Sequence, residues 1–398
     1  MAGLNETPKG ERIHIAFLGR RNVGKSSLVN AFTGQELSIV SDVKGTTTDP
    51  VYKSMELLPF GPVMIIDTPG MDDEGELGEL RVKKAMQVLN KTDIAFIVVE
   101  AGCPLQSEDT ELLKIVKERE IPYLIIENKA DISKVSVNKI KDSIRVSAKT
   151  GEGVSDLKEA CVNLLKKETE EKHIVADLLT PGNMVVLVVP IDGAAPKGRL
   201  ILPQQQTIRD IIEAGACAIV CKDTELQEVL SKLNAPPKLV VTDSQVFGYV
   251  SDIVSRDIPL TSFSILMARY KGDLPLLVKG ASTIDTLKKG DKVLIAEGCT
   301  HHRQCEDIGT VKIPKWIKDR VGSSVEFDFV SGTEFPENIE EYQLVVHCGG
   351  CMLNEREMKH RIMTCRKKNV AVTNYGTLIA YMNGILQRTV EPFGLYLS

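Results

Sequence analysis

The octapeptide Gly19-Arg20-Arg21-Asn22-Val23-Gly24-Lys25-Ser26 stands between an apolar run at residues 13–18 and a stretch of helical periodicity at 25–32. A strand, a glycine-bounded turn and a helix in that order leave few folds open. Further short apolar runs at 63–66, 94–99, 123–126 and 144–146 alternate with helical patterns at 79–90, 109–118 and 154–167. Buried strands separated by amphipathic helices predict an α/β domain with a mostly parallel sheet covered on both faces. The charged run Lys166-Lys167-Glu168-Thr169-Glu170-Glu171-Lys172 ends the pattern, so the first domain is expected at 1–172.

The octapeptide fits G-x-x-x-x-G-K-[ST]. Its glycines, Gly19 and Gly24, let backbone N–H groups approach phosphate oxygens, and the helix N-terminus adds a favourable dipole. Lys25 is expected to reach the β- and γ-phosphates and Ser26 to ligate Mg²⁺, with Ser27 completing the cradle. Asp67-Thr68-Pro69-Gly70 ends a later apolar run: Asp67 can hold Mg²⁺ through water, and the Gly70 N–H can sense the γ-phosphate. Asn128-Lys129-Ala130-Asp131 ends another. The Asp131 carboxylate can accept from guanine N1–H and the 2-amino group, and adenine presents neither donor there. A buried carboxylate left unpaired by the wrong base selects GTP over ATP. Ser147-Ala148-Lys149 follows the last strand, where a loop backs the base. Gly45-Thr46-Thr47-Thr48-Asp49-Pro50 occupies the first switch position, with Thr47, and Thr46 as second choice, completing Mg²⁺ coordination. Lys25, Thr47, Asp67 and Gly70 are the expected catalytic group. Met71 stands where Ras-like enzymes place the glutamine that orients water, so slow hydrolysis is expected. Glu79, in the second-switch region, is a weak candidate for orienting water, and an ordinary exposed helix glutamate is the first reading of it.

The remaining 226 residues of the 398 lack comparable nucleotide motifs. Apolar runs at 185–189, 218–220 and 239–241 alternate with helical patterns and predict a small α/β domain, 173–265. A third, 266–398, contains five of the nine cysteines and four of the six histidines beyond position 298. A net charge of −5 with 5% aromatic residues argues against a chain built to hold nucleic acid. No uninterrupted apolar run reaches the ~18 residues of a membrane span. The polar first eight residues lack a signal-peptide pattern, and nine cysteines then suit a reducing compartment, the cytoplasm.

Cys299-Thr300-His301-His302 and His347-Cys348-Gly349-Gly350-Cys351 form a separated ligand set, each following an apolar strand. C-x-x-C lets two thiolates share a metal or cluster, and the glycine pair permits the tight turn. By residue types alone, structural zinc, an iron–sulfur cluster and unmetallated thiols all remain open. Cys103, Cys161, Cys217 and Cys221 lie in or beside apolar segments and read as small core residues. Cys365 reads as structural, and Cys305 as a spare near the first cluster.

Residues 13–160 resemble the TrmE–Era-like branch of translation-factor-type GTPases, through G-x-x-N-x-G-K-S and the Gly-Thr-Thr-x-Asp switch. That resemblance implies that Asn22 helps hold K⁺ beside the phosphates. Such a G domain, a middle α/β domain containing Ala195-Pro196-Lys197-Gly198-Arg199-Leu200, and C-x-H…H-C-x-x-C at 299–351 together resemble the [FeFe]-hydrogenase maturation GTPases over essentially the whole chain. The resemblance implies a [4Fe–4S] cluster on Cys299, Cys348 and Cys351, with His301 or His347 as fourth ligand or as a residue orienting a ligand. It also implies a homodimer formed by the middle domain and a scaffold role for a transient di-iron precursor. The implied partners are two radical-SAM hydrogenase maturases and apo-[FeFe]-hydrogenase. A ribosome-assembly or tRNA-modifying GTPase with a structural zinc site is the alternative; it predicts a basic RNA-binding appendage, which this acidic chain lacks.

Overall fold

The computed structural model describes residues 9–34, 50–70, 84–133, 140, 142–168, 172–191, 200–298, 307–322, 325–332 and 334–397. The chain divides into two compact units, Met1–Glu171 and Lys172–Ser398.

The first unit is built on a six-stranded sheet of order β2-β3-β1-β4-β5-β6. β1 (Ile13–Leu18), β3 (Gly61–Asp67), β4 (Ile94–Glu100), β5 (Tyr123–Asn128) and β6 (Ser143–Arg145) are parallel. Only β2 (Val51–Leu57) runs antiparallel, on the edge beside β3. The fully buried strands are the near-continuous apolar runs of the sequence, as a sheet covered on both faces requires. β2 has no such run: its residues alternate, with Lys53 and Leu57 turned inward and Tyr52, Ser54 and Glu56 outward. Beneath the phosphate loop Phe17, Phe32 and Phe96 meet edge to face at 4.9–5.7 Å. Such contacts lock the loop's two flanking elements, β1 and helix Lys25–Thr33, onto one core.

The second unit contains two four-stranded parallel sheets. One has the order β10-β9-β7-β8 and the other β12-β11-β13-β14. Their strands are β7 (Met184–Val188), β8 (Cys217–Cys221), β9 (Leu239–Thr242) and β10 (Leu260–Ser262), then β11 (Lys292–Glu297), β12 (Glu326–Ser331), β13 (Leu344–His347) and β14 (Ala371–Asn374). Val186, Val240 and Phe247 of the first sheet region share one buried cluster with Leu294, Val345 and Ile362 of the second. Helices Phe263–Lys271 and Leu274–Ala281 run between the sheet regions and supply Ile265, Ala268, Leu277 and Ala281 to that cluster. Among the described residues no helix is long and apolar enough to cross a membrane.

Candidate functional sites: a nucleotide cradle and a cysteine loop

Parallel strands place their C-terminal ends on one edge of a sheet, and in the first unit those ends carry the motifs. Phe17 is in register with Asp67, and Glu100 with Asn128. Gly19 has φ +143°, and a Cβ there would lie 2.3 Å from the Val98 carbonyl oxygen. Gly24, at φ +87°, approaches the Asn128 amide as closely. Neither position admits a side chain. Lys25 is buried, and its Nζ donates to the carbonyl oxygens of Gly19 at 2.9 Å and Arg20 at 2.7 Å, the loop's own acceptors. Arg20 Nε lies 3.1 Å from both carboxylate oxygens of the buried Asp109, which ties the loop to helix Ser107–Glu118. Asp67 is 2% exposed at the end of β3, and Thr68 Oγ1 donates to the Phe17 carbonyl at 2.6 Å.

The base-side motifs are bound to the loop rather than merely near it. Asn128 Nδ2 donates to the Val23 carbonyl at 2.9 Å, and its Oδ1 accepts from Ala148 N at 3.0 Å. Ser147 Oγ donates to Asp131 Oδ1 at 2.7 Å. Lys129 Nζ lies 3.0 Å from Glu100 Oε2. A cavity of about 620 Å³ opens between Ser27, Asn30, Asp131 and Lys149, with Gly24 and Asn128 in its wall. The structure thus brings Gly19–Ser27, Asp67, Asn128, Asp131 and Ser147–Lys149 to one sheet edge. Thr46, Thr47, Met71 and Glu79 lie outside the described residues.

Sequence reasoning did not single out Asn30, Lys53 or Asp109. Lys53, buried on β2, donates to Asn30 Oδ1 at 3.1 Å. It shares a sheet face with Asp67, which pairs with Val51 two residues away. Burial lowers the Lys53 pKa, and the Asp67 charge opposes that shift. None of these contacts has a local signature, because each joins residues distant in sequence.

In the second unit β11 and β13 are neighbours, with Ala296 opposite His347. Gly298, which follows β11, therefore lies beside Cys348, which follows β13. Cys348 N donates to the Ala296 carbonyl at 2.9 Å, and Cys348 Sγ accepts from Gly298 N at 3.0 Å and Gly350 N at 3.4 Å. Gly350, at φ +62°, turns the loop so tightly that a Cβ would lie 2.5 Å from Met358 Sδ. Cys299 and His301 lie outside the described residues; Cys299 follows Gly298, the residue that donates to Cys348 Sγ. Among the described residues no third metal-ligating side chain joins Cys348 and Cys351.

The donor chemistry suits a thiolate-ligated group. Burial pushes the Cys348 thiol up to about 11, opposed by the two N–H donors. Ionisation there therefore calls for a cation on the sulfur, while the N–H groups are already aimed at it. His347 is 1% exposed, and burial and the Arg361 charge push its pKa down to about 3. Its Nδ1 is 2.9 Å from the Cys348 carbonyl oxygen and its Nε2 is 3.1 Å from Arg361 Nη1. Both nitrogens are engaged within the protein.

The other cysteines divide. Cys161, Cys221 and Cys365 are buried, their thiols pushed up to about 12, 11 and 12 by burial. Cys103 and Cys217 are exposed, against the expectation that they are core residues. Cys217 opens the edge strand β8, and Cys103 lies in the turn after β4. Cys305 is outside the described residues.

A G-x-x-x-x-G-K-S loop at the strand ends of a parallel sheet, with the Asn128-Lys129-Ala130-Asp131 motif beside it, defines the first unit as a P-loop GTPase domain. Residues 14–129 match the family described as 50S ribosome-binding GTPase. Residues 174–272 match the hydrogen maturase F dimerization domain, and 275–392 the hydrogen maturase F tetramerization domain. The chain belongs to the hydrogen maturase F family of hydrogenase-maturation GTPases, and its second unit carries that family's two oligomerisation domains. Over 168 residues it is 32% identical to the tRNA modification GTPase MnmE of Legionella pneumophila (strain Corby), covering 42% of this chain and 37% of that protein. Over 163 residues it is 33% identical to GTPase Era of Carboxydothermus hydrogenoformans, covering 38% and 54%. The chain thus spans between a third and about half of the length of these curated relatives. A structure of Era with MgGDPNP and a 16S ribosomal RNA segment is 20% identical, with a TM-score of 0.35 over 53% of this chain and 94% of that one.

Proposed function

We propose that the chain binds GTP with Mg²⁺, hydrolyses it slowly, and serves as scaffold and carrier for the di-iron subcluster of the [FeFe]-hydrogenase active site. In the first unit Lys25 would leave the Gly19 and Arg20 carbonyls for the β- and γ-phosphates, an exchange of one set of oxygen acceptors for another. Ser26, Asp67 and Thr47 would hold Mg²⁺, which supplies charge neutralisation at the phosphates. Asn22 would hold K⁺, whose charge stands in for an arginine finger. Asp131, oriented by Ser147, reads the base.

In the second unit Cys299, Cys348 and Cys351 would hold a [4Fe–4S] cluster. When bound, that cluster supplies an iron position that no thiolate of this set fills and that is open to ligand exchange. The protein's own part is to present Cys348 with two N–H donors and to keep His347 neutral and turned to the Cys348 carbonyl. That arrangement favours His347 as an orienting residue over a ligand. The proposed assembly is a homodimer that meets radical-SAM hydrogenase maturases and apo-[FeFe]-hydrogenase, with 1–172 as its nucleotide domain, 173–265 as its dimerisation domain and 266–398 as its cluster domain.

One observation carries this reading: in a chain of this family, the amide preceding Cys299 is bonded to the sulfur of Cys348. The test is anaerobic reconstitution with iron and sulfide, followed by activation of apo-hydrogenase. Cys299→Ala, Cys348→Ala and Cys351→Ala should each lose the stable cluster and activation while keeping GTP affinity. His347→Ala should keep a cluster with an altered spectrum. Zinc without sulfide in the unmodified chain, or full activation by Cys348→Ala, would overturn the scaffold role.

A further inference from the structure

The phosphate loop is fastened at both ends. Its back half is held by Asn128, whose Nδ2 donates to the carbonyls of Val23 at 2.9 Å and Gly24 at 3.3 Å. Its front half is held by Arg20, the second residue of the loop. Arg20 Nε lies 3.1 Å from each carboxylate oxygen of Asp109, 89 residues further on. Asp109 stands in the first turn of helix Ser107–Glu118, and its Oδ2 also accepts from Gln106 N at 3.0 Å, closing the start of that helix. The helix follows β4, the strand whose Val98 carbonyl leaves Gly19 no room for a Cβ.

Asp109 is 1% exposed, and a carboxylate is costly to bury unless it is paired and hydrogen-bonded. The Arg20 guanidinium and the Gln106 amide supply both. The Arg20 charge also acts on Glu108, the other acid of that first turn. The backbone of Arg20 is held from a different side, because its carbonyl accepts from Lys25 Nζ at 2.7 Å. One residue thus carries an anchor on the helix and an acceptor for the lysine that GTPases use on the β- and γ-phosphates. With Nε committed to Asp109, Arg20 acts on a nucleotide through the shape of the loop. An anion cradle binds tightly when its N–H groups need no reordering, and a loop free to relax would spend binding energy on that ordering.

We propose that Arg20 and Asp109 are positioning residues for nucleotide binding: the pair anchors the front half of the phosphate loop to helix Ser107–Glu118 and holds the loop in its cradle shape. The proposal rests on the reading that this loop binds GTP.

Four variants of the full chain test the pair: Arg20→Gln, Asp109→Asn, the two combined, and Arg20→Lys. Asp109→Asn keeps the shape and an acceptor for Gln106 N, and the Arg20 side chain is 24% exposed, so the changes spare the core. Affinities for GTP and GDP are measured beside steady-state turnover and thermal melting without nucleotide. Arg20→Gln and Asp109→Asn should each weaken both nucleotides about tenfold, the worth of one charge-assisted hydrogen bond. The double variant should bind no more weakly than the poorer single variant, because the pair acts as a unit. The loss should fall on KM more than on kcat, since the loop grips the phosphates alike in the ground and transition states. Arg20→Lys, which keeps the charge on a flexible stem, should retain part of the affinity lost in Arg20→Gln. Unchanged affinities with a lowered melting temperature would show that the pair serves the fold alone. Losses that multiply in the double variant would show that the two residues act separately. Either result overturns the proposal. If Asp109→Asn does not fold, the affinity of Arg20→Gln decides, and an unchanged value overturns it. An unmodified chain with no affinity for GTP would instead sink the nucleotide reading itself.

Discussion

Ser147 Oγ donates to Asp131 Oδ1 across 2.7 Å, and the Ser147 hydroxyl itself accepts from Thr150 N at 3.2 Å. The Asp131 carboxylate, the proposed reader of the base, is therefore oriented by a residue from the next loop. Asp131→Asn should weaken GTP binding about tenfold to a hundredfold, the worth of a charge-assisted pair, while improving binding of xanthosine triphosphate, whose 2-oxo group prefers a donor. Ser147→Ala leaves the carboxylate in place but unoriented and should cost only a few-fold, on the order of 1 kcal/mol. Affinities for GTP, XTP and ATP check both. Equal affinity for ATP and GTP in the unmodified chain would remove the guanine assignment.

Asn22 turns the phosphate loop at φ +60°, a conformation that asparagine and glycine tolerate. Asn22→Gly keeps that backbone and removes only the side-chain amide. If the amide helps hold K⁺, turnover of the unmodified chain should be several-fold faster in KCl than in NaCl at equal ionic strength, and Asn22→Gly should abolish the difference. Equal rates in the two salts would discard the K⁺ site and leave the loop's other roles standing. Lys25→Ala should weaken nucleotide binding or turnover in either salt.

His14 introduces a pH dependence into the first unit. Buried on β1, it has its pKa pushed down to about 4 by desolvation, against an opposing hydrogen bond to the Arg12 carbonyl, with Lys91 and Arg12 adding repulsion. Asp93 Oδ2 is 3.8 Å from the ring and does not reverse the shift. Because the folded pKa lies below the unfolded value of 6.5, the unfolded chain binds the extra proton between those values. Stability is present above pH 6.5 and declines as pH falls toward 4, by up to about 3 kcal/mol. His14→Asn should flatten that part of the profile, measured as urea midpoints of the first unit followed by limited proteolysis. A profile identical to the unmodified chain would refute the assignment.

Gly280 lies where helix Leu274–Ala281 meets β14, and a Cβ there would stand 1.9 Å from the Val372 carbonyl oxygen. Backbone cannot yield as a side chain end can, so Gly280→Ala should destabilise the second unit by on the order of 1–3 kcal/mol. Its melting transition should fall while GTP affinity is unchanged. An unaltered melting temperature would mean that the helix shifts freely off the strand.

Features that depend on neighbours in sequence were legible in the chain alone. A helix, a buried parallel strand and a glycine-bounded turn each declare themselves within about ten residues, through side-chain period and backbone tolerance. The strand ends that lead into Gly19, Asp67, Asn128 and Cys348 could therefore be located. What the sequence did not disclose is direction and partnership. β2 alternates around an inward lysine, so it shows no apolar run, and Cys103 and Cys217 resemble buried cysteines until the fold turns them outward. Nothing in the sequence singles out Lys271 or Arg361. Only tertiary packing brings Lys271 to a carbonyl 80 residues away and sets Arg361 against the ring of His347. The physical reason is one of range: backbone geometry and periodicity act along the chain, whereas the burial and electrostatic environment of a charge are created by whatever the folded chain places around it.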